Sequence, residues 1–158
     1  MNSKELQQYL LREFPQENAC CEWKEMKNLK NSFAGDEKND VISYVSAIAN
    51  MEGGHLVIGV EDKTLKIVGT DLAKFNLNAQ SAVWKLVEHC TNLSSEGLDI
   101  SEYITEDTQK IVWVIHIPKH LPRRPVYAHK KAWQRVEDSL VEMTKERLFA
   151  ILEEPIFE

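Results

Sequence analysis

The chain has 158 residues, 43% hydrophobic and 28% charged, with a formal net charge of -6. That length suits one domain with a sizeable core, in a composition ordinary for a globular protein. It excludes a membrane helix, because no apolar run approaches ~20 residues. It also argues against the whole surface clamping a phosphate backbone without sequence preference.

The start, Met1-Asn-Ser-Lys-Glu-Leu-Gln7, is too polar for a signal peptide. Cys20, Cys21 and Cys90 make an odd count, which favours thiols over a disulfide framework and points to a reducing cytoplasm. The adjacency of Cys20 and Cys21 lacks the spacing of a zinc site.

In chain order, Ser3 is expected to cap a first helix, in which Leu6, Leu10 and Phe14 recur at helical spacing until Pro15. Cys20 to Lys24 reads as a short strand with Trp23 on one face, and Asn28 to Gly35 as a polar loop. Asp36 or Asn39 is expected to cap a second helix with Val41, Val45, Ile48 and Ala49 on its apolar face. Asn50-Met-Glu-Gly-Gly54 stops it, and His55 to Val60 reads as a strand covered on both faces. Asp62-Lys-Thr64 forms a turn, after which Leu65 to Val68 returns as a strand.

Asn78 to Cys90 is the third helix, with Ala79, Val83, Leu86 and Val87 inward. Leu98 to Thr105 and Lys110 to Ile117 make a hairpin through Glu106-Asp107-Thr108. Val126 to His129 and Ala132 to Val136 make a second, shorter one. Thr144 caps a last helix that Pro155 ends. The mixture predicts an α+β fold, one mixed β-sheet packed with helices and late β-hairpins, as a single domain over residues 1–158. The apolar residues after the last helix lead us to expect that a longer chain continues past Glu158.

Several groups carry candidate chemistry. Glu17 and Glu22 flank the entry to the first strand, and Asp62 stands where the glycine-led strand ends. Converging carboxylates of this kind can hold Mg²⁺ or Mn²⁺ for phosphodiester hydrolysis, orient a basic partner, or face water, and the spacing leaves all three open. Lys24 falls on the same side of its strand as Glu22, where it can meet a phosphate. Gly53-Gly54 and Gly59 match neither a dinucleotide fingerprint nor a phosphate-binding loop, so they read as backbone requirements. His55 reads as a core or edge residue, and no serine or cysteine shows the setting of a covalent nucleophile.

The basic residues are concentrated. Lys119, Arg123, Arg124, Lys130, Lys131 and Arg135 lie between Pro118 and Arg135 with no acid among them, and His120 and His129 fall in the run. The run is either an anion-binding surface or a solvated hairpin. Tyr127 and Trp133 are open to two uses, stacking on bases or pairing across the hairpin, whereas Trp113 reads as core.

Glu22-Trp-Lys24, Val45-Ser-Ala-Ile-Ala-Asn50, Gly53-Gly54, Leu56-Val-Ile-Gly-Val-Glu-Asp62 and Val68-Gly69 resemble the Schlafen AlbA_2 (divergent AAA-4) domain. Arg124-Pro-Val-Tyr127 through Gln134-Arg-Val136 is similar to that family's final hairpin, although Glu137-Asp138 stand where the family usually has Gly-Ser. The resemblance spans roughly Glu17 to Leu152. It implies an α/β nucleic-acid-binding domain at the front of a longer bacterial protein of the transcriptional-regulator or ATP-binding type. In vertebrate relatives it implies three acids with a divalent metal cleaving RNA, and those acids fall on Glu17, Glu22 and Asp62 here.

The expected function is therefore binding of DNA or RNA through Lys24, Arg123, Arg124, Lys130, Lys131 and Arg135. One alternative is a Mg²⁺- or Mn²⁺-dependent endoribonuclease, with metal on Glu17, Glu22 and Asp62 and with Lys24 on the scissile phosphate. Another is a dimerisation or scaffold module without its own ligand. Expected partners are nucleic acid, a second copy and a downstream domain, with no membrane.

Overall fold

The second helix, α2 (Val41–Ala49), is buried at all nine positions, so it is the centre around which the rest is built. The computed structural model describes residues 1–15, 20–29, 40–61, 63–70, 78–136 and 139–156. Around α2 lie α1 (Ser3–Glu13), β1 (Cys21–Lys24), a 3₁₀ turn (Met26–Leu29), β2 (Gly54–Ile58) and α3 (Ala79–His89). Then follow β3 (Asp99–Ile104), β4 (Ile111–Ile117), β5 (Tyr127–Ala128), β6 (Lys131–Val136), β7 (Ser139–Glu142) and α4 (Lys145–Leu152).

The fold is α+β. Four strands form a mixed sheet in the order β1-β2-β4-β3, with β1 parallel to β2 and the other pairs antiparallel. A separate antiparallel sheet, β5-β6-β7, takes the place of an extension of the mixed sheet. On one face of the mixed sheet, Leu56, Ile58, Trp113 and Ile115 pack with α2, Leu86 of α3, and Ala128 and Trp133 of the second sheet. On the other face, Trp23, Val57, Val112 and Val114 pack against Leu6 and Leu10 of α1. The uninterrupted apolar run of β2 follows from this double cover.

The glycine pair before β2 is set by close approach. Gly54 has φ +151, and a β-carbon there would lie 1.8 Å from the Cys20 carbonyl oxygen. The parallel start of β1 and β2 needs that contact, since the His55 N–H donates to the same oxygen at 2.8 Å. Asn50, just before the turn, is fully buried. Its Nδ2 donates to the carbonyls of Val126 (2.8 Å) and Trp133 (2.9 Å), and its Oδ1 accepts from the Val126 N–H at 2.7 Å. Arg147 of α4 then donates to the carbonyls of Asn50 and Met51, placing a cation at the C-terminal end of α2.

Several expectations are corrected. Asn2, not Ser3, caps α1, because Asn2 and Glu5 make a reciprocal capping box while the Ser3 hydroxyl donates to Asp107. Asp40 caps α2, whereas Asp36 and Asn39 lie outside the described residues, as does the loop expected over 28–35 from residue 30 onward. The returning strand at 65–68 reduces to one bridge, Val60 to Ile67. Val87 faces solvent, at 43% exposure, because the buried stripe of α3 runs through Ala82 and Leu86. β7 was not anticipated.

The three cysteines are thiols. Burial pushes Cys21 up to about 11 and Cys90 up to about 12, the latter helped by the nearby charge of Asp40. Among the described residues, no helix is long and apolar enough to cross a membrane.

Where α1 ends, the Phe14 ring lies 4.7 Å from His55, which meets His116 edge-on at 5.2 Å. Burial, and then the charge of His116, hold the His55 imidazole below its ordinary value. The unfolded chain therefore takes up this proton more readily. The contribution of His55 to stability is whole above about pH 6.5 and is lost as pH falls through its folded value. In urea titrations from neutral to mildly acidic pH, the His55→Phe variant is expected to lose less of its midpoint than the native protein. Parallel loss in both would show that His55 carries no such linkage.

Candidate nucleic-acid interface

Side chains alternate along a strand, so the inward turn of Trp23 toward α1 sends Glu22 and Lys24 to the opposite face, toward α2 and β6. On β6, Trp133 and Arg135 stand two residues apart and point to the same side, with Trp133 in the core around α2. The result is a compact charged cluster. Glu22 Oε2 meets Arg135 Nη1, and Lys24 Nζ lies 3.8 Å from Glu22 Oε1. The Tyr44 ring of α2 has Lys24 Nζ at 5.7 Å and the Arg135 guanidinium carbon at 5.8 Å from its centroid. Burial pushes the Tyr44 hydroxyl up, with the Lys24 charge acting against it.

Among the described residues, the Glu22 carboxylate thus faces two cations, and little of this reaches water. Glu22 is 4% exposed and Arg135 1%. Arg135, expected on the surface, is inside the protein, because it shares the inward side of β6 with Trp133. Lys24 sits at the margin, its side chain 17% exposed.

Glu17 and Asp62 lie outside the described residues. Among the described residues, no group of three His, Cys, Asp or Glu side chains gathers as a metal site. Glu22 turns its two oxygens to Arg135 and Lys24, which is the setting of an ion pair.

The other cations are on turns. Arg123 has φ 61 and its Nε donates to the Glu154 carbonyl at 2.7 Å, while the Arg124 N–H closes the turn on the Leu121 carbonyl at 3.0 Å. Arg123, Arg124 and Lys130 are exposed. Lys131 Nζ lies 3.6 Å from Glu142 Oε2 with its side chain 43% exposed. Lys119 is shared between Glu52 (3.2 Å) and Glu154 (3.8 Å). The turn before β5, the turn after it and the start of β6 therefore carry Arg123, Arg124, Lys130 and Lys131, all exposed. Arg124 and Lys130 are six residues apart, a span of at most about 20 Å.

The histidines of the run take structural posts. His120 is buried, its N–H and Nδ1 each 2.9 Å from the Ala49 carbonyl and its Nε2 2.6 Å from Glu154 Oε1. His129 Nε2 lies 3.1 Å from Asp40 Oδ1. Trp113 is core and donates to Glu102 at 2.8 Å. Trp133 is buried and donates to the Ala128 carbonyl at 2.8 Å, and Tyr127 lies opposite Ala132, so the two aromatics are not direct cross-strand partners. Tyr44 was missed by sequence reasoning. Its signal was a phenol ring within a helix whose other residues are apolar or serine.

A family model described as Schlafen, AlbA_2 matches residues 17–144. The chain belongs to the Schlafen AlbA_2 family. A Corynebacterium diphtheriae protein, DIP2311, has a similar structure, with a TM-score of 0.58 at 18% identity over 88% of this chain. The match covers 25% of the DIP2311 chain, so this AlbA_2 domain spans about a quarter of that protein's length. The N-terminal domain of a RecG-related protein from Nitrosomonas europaea matches at 18% identity and a TM-score of 0.45, over 88% of this chain and 91% of that one. No curated protein matches the sequence. The Asn50, Gly53 and Gly54 positions of the AlbA_2 signature here hold the two sheets and α2 together, so that pattern is a requirement of the fold.

Proposed function

We propose that this AlbA_2 domain binds nucleic acid through the surface that carries Arg123, Arg124, Lys130 and Lys131. The observation that carries the reading is the exposure of these cations on both sides of β5, in a chain whose net charge is -6. An acidic domain holds a polyanion only where cations are locally concentrated, and phosphates repeat closely enough for several to meet this span. Lys24 extends the surface from the margin of the buried cluster. Arg135 supports it from inside by fixing Glu22 and β6. A place at the front of a longer bacterial regulator, beside a downstream domain and with a second copy as partner, is the accompanying expectation.

The test is fluorescence anisotropy with labelled tRNA and a labelled DNA duplex at low salt, on the native protein and on an Arg124→Glu/Lys131→Glu variant. Binding by the native protein, with at least tenfold loss in the variant, is expected. Undiminished binding by the variant would move the interface elsewhere. Parallel lanes with Mn²⁺ or EDTA read cleavage, and metal-dependent strand scission would bring the nuclease reading forward.

A further inference from the structure

The turn from β5 to β6 consists of His129 and Lys130, between the paired residues Ala128 and Lys131. Their φ values are 53 and 65, the left-handed region that such hairpins require and that Asn-Gly fills best. Two residues bearing β-carbons are strained there, and strain of this kind persists where the surroundings fix it.

What fixes it is Asp40, the fully buried cap of α2. Its Oδ1 accepts from the Ser43 N–H and hydroxyl, both at 3.0 Å, and holds His129 Nε2 at 3.1 Å. Its Oδ2 has no partner among the described residues. Among the described residues, the carboxylate's hydrogen bonds thus go to the start of α2 and the imidazole. The His129 side chain is 12% exposed, so the ring sits inward as the support of the turn. Lys130 is exposed beside it, at the tip of the basic hairpin.

We infer that the His129–Lys130 turn is a preset contact for a phosphodiester backbone. Lys130 meets a phosphate oxygen, and Asp40 is the positioning residue that holds the turn through the His129 ring. A glycine at position 130 would serve the turn better but would remove the charge, so fold and ligand favour different residues here. The inference rests on the nucleic-acid reading above and adds His129 and Asp40 to it.

Three variants test it. Lys130→Gly relieves the turn, and its Tm is expected to rise by about 2–4 °C. Its affinity for a labelled DNA duplex or RNA stem-loop is expected to fall several-fold, with the slope of log K against log salt smaller by about one. His129→Asn keeps a residue at ease in the left-handed region and is expected to weaken binding about three- to tenfold. Asp40→Asn keeps a helix cap yet loosens the ring, so it should weaken binding as His129→Asn does, and the double variant should be no weaker than either alone.

A more stable Lys130→Gly protein that binds with native affinity and slope would overturn the inference and leave the broader reading intact. Additive losses in the Asp40/His129 pair would remove Asp40 as the positioning residue. Native protein that binds neither probe would overturn the nucleic-acid reading itself. The ratio of duplex to stem-loop affinity shows which source of phosphate is preferred.

Discussion

Glu22→Gln is expected to lower the unfolding free energy by about 3–5 kcal/mol, because it takes from the buried guanidinium of Arg135 the carboxylate charge that faces it. Arg135 is 1% exposed and cannot turn to water, and the charge of Lys24 stands near it. Arg135→Met is expected to be milder, since Glu22 keeps Lys24 within 3.8 Å and the methionine fills part of the space. The two changes together should cost less than their sum, by about 1–3 kcal/mol, as members of one network do. Urea unfolding of the two single variants and the double variant measures this directly. Strict additivity would mean that the pair contributes nothing as a pair. The result also bears on function. A Glu22 variant that fails to bind or cleave has first lost stability, so its phenotype cannot be assigned to chemistry until its folded fraction is known.

Gly54→Ala is expected to be worse still. The added β-carbon would fall 1.8 Å from the Cys20 carbonyl oxygen, at a φ of +151, and neither strand can withdraw without breaking the parallel pairing of β1 and β2. A loss of about 4 kcal/mol or more follows, with most of the protein unfolded or insoluble on expression. Gly97→Ala provides the contrast. Its φ of +85 is also left-handed, but the nearest neighbour of a β-carbon there is the Pro118 side chain at 3.5 Å. Only the backbone cost of about 1–2 kcal/mol applies. Equal stability losses at the two positions would show that close approach is not what Gly54 serves.

Much of the fold was legible because local chemistry and global packing agree. Thr144 caps α4 as read, its side chain accepting from the Arg147 N–H, the third residue of the helix. The β3–β4 hairpin follows from its alternation and its polar turn. Misplaced boundaries had local causes. Ser3 and Asn2 are both good caps, and the Glu5 reciprocal bond decides between them. β7 is four residues with two half-buried positions, too short for its periodicity to stand out.

The charged cluster was half visible. Glu22 and Lys24 were placed on one side of a strand by period two alone, and they are 3.8 Å apart there. Arg135 was read as surface because charge normally marks exposure. Its burial depends on a partner from the other end of the chain, and no local pattern reveals that. The alternation of Trp133 and Arg135 was the available signal. His129 likewise looked like one more basic-run imidazole until Asp40 was found behind it.

The most direct test of the account is the salt dependence of binding by the native protein to a DNA duplex. Four exposed cations, Arg123, Arg124 and Lys130 on two turns and Lys131 at the start of β6, predict a slope of log K against log salt of about -3 to -4. A slope near zero, or no binding at low salt, would contradict a nucleic-acid interface on these turns.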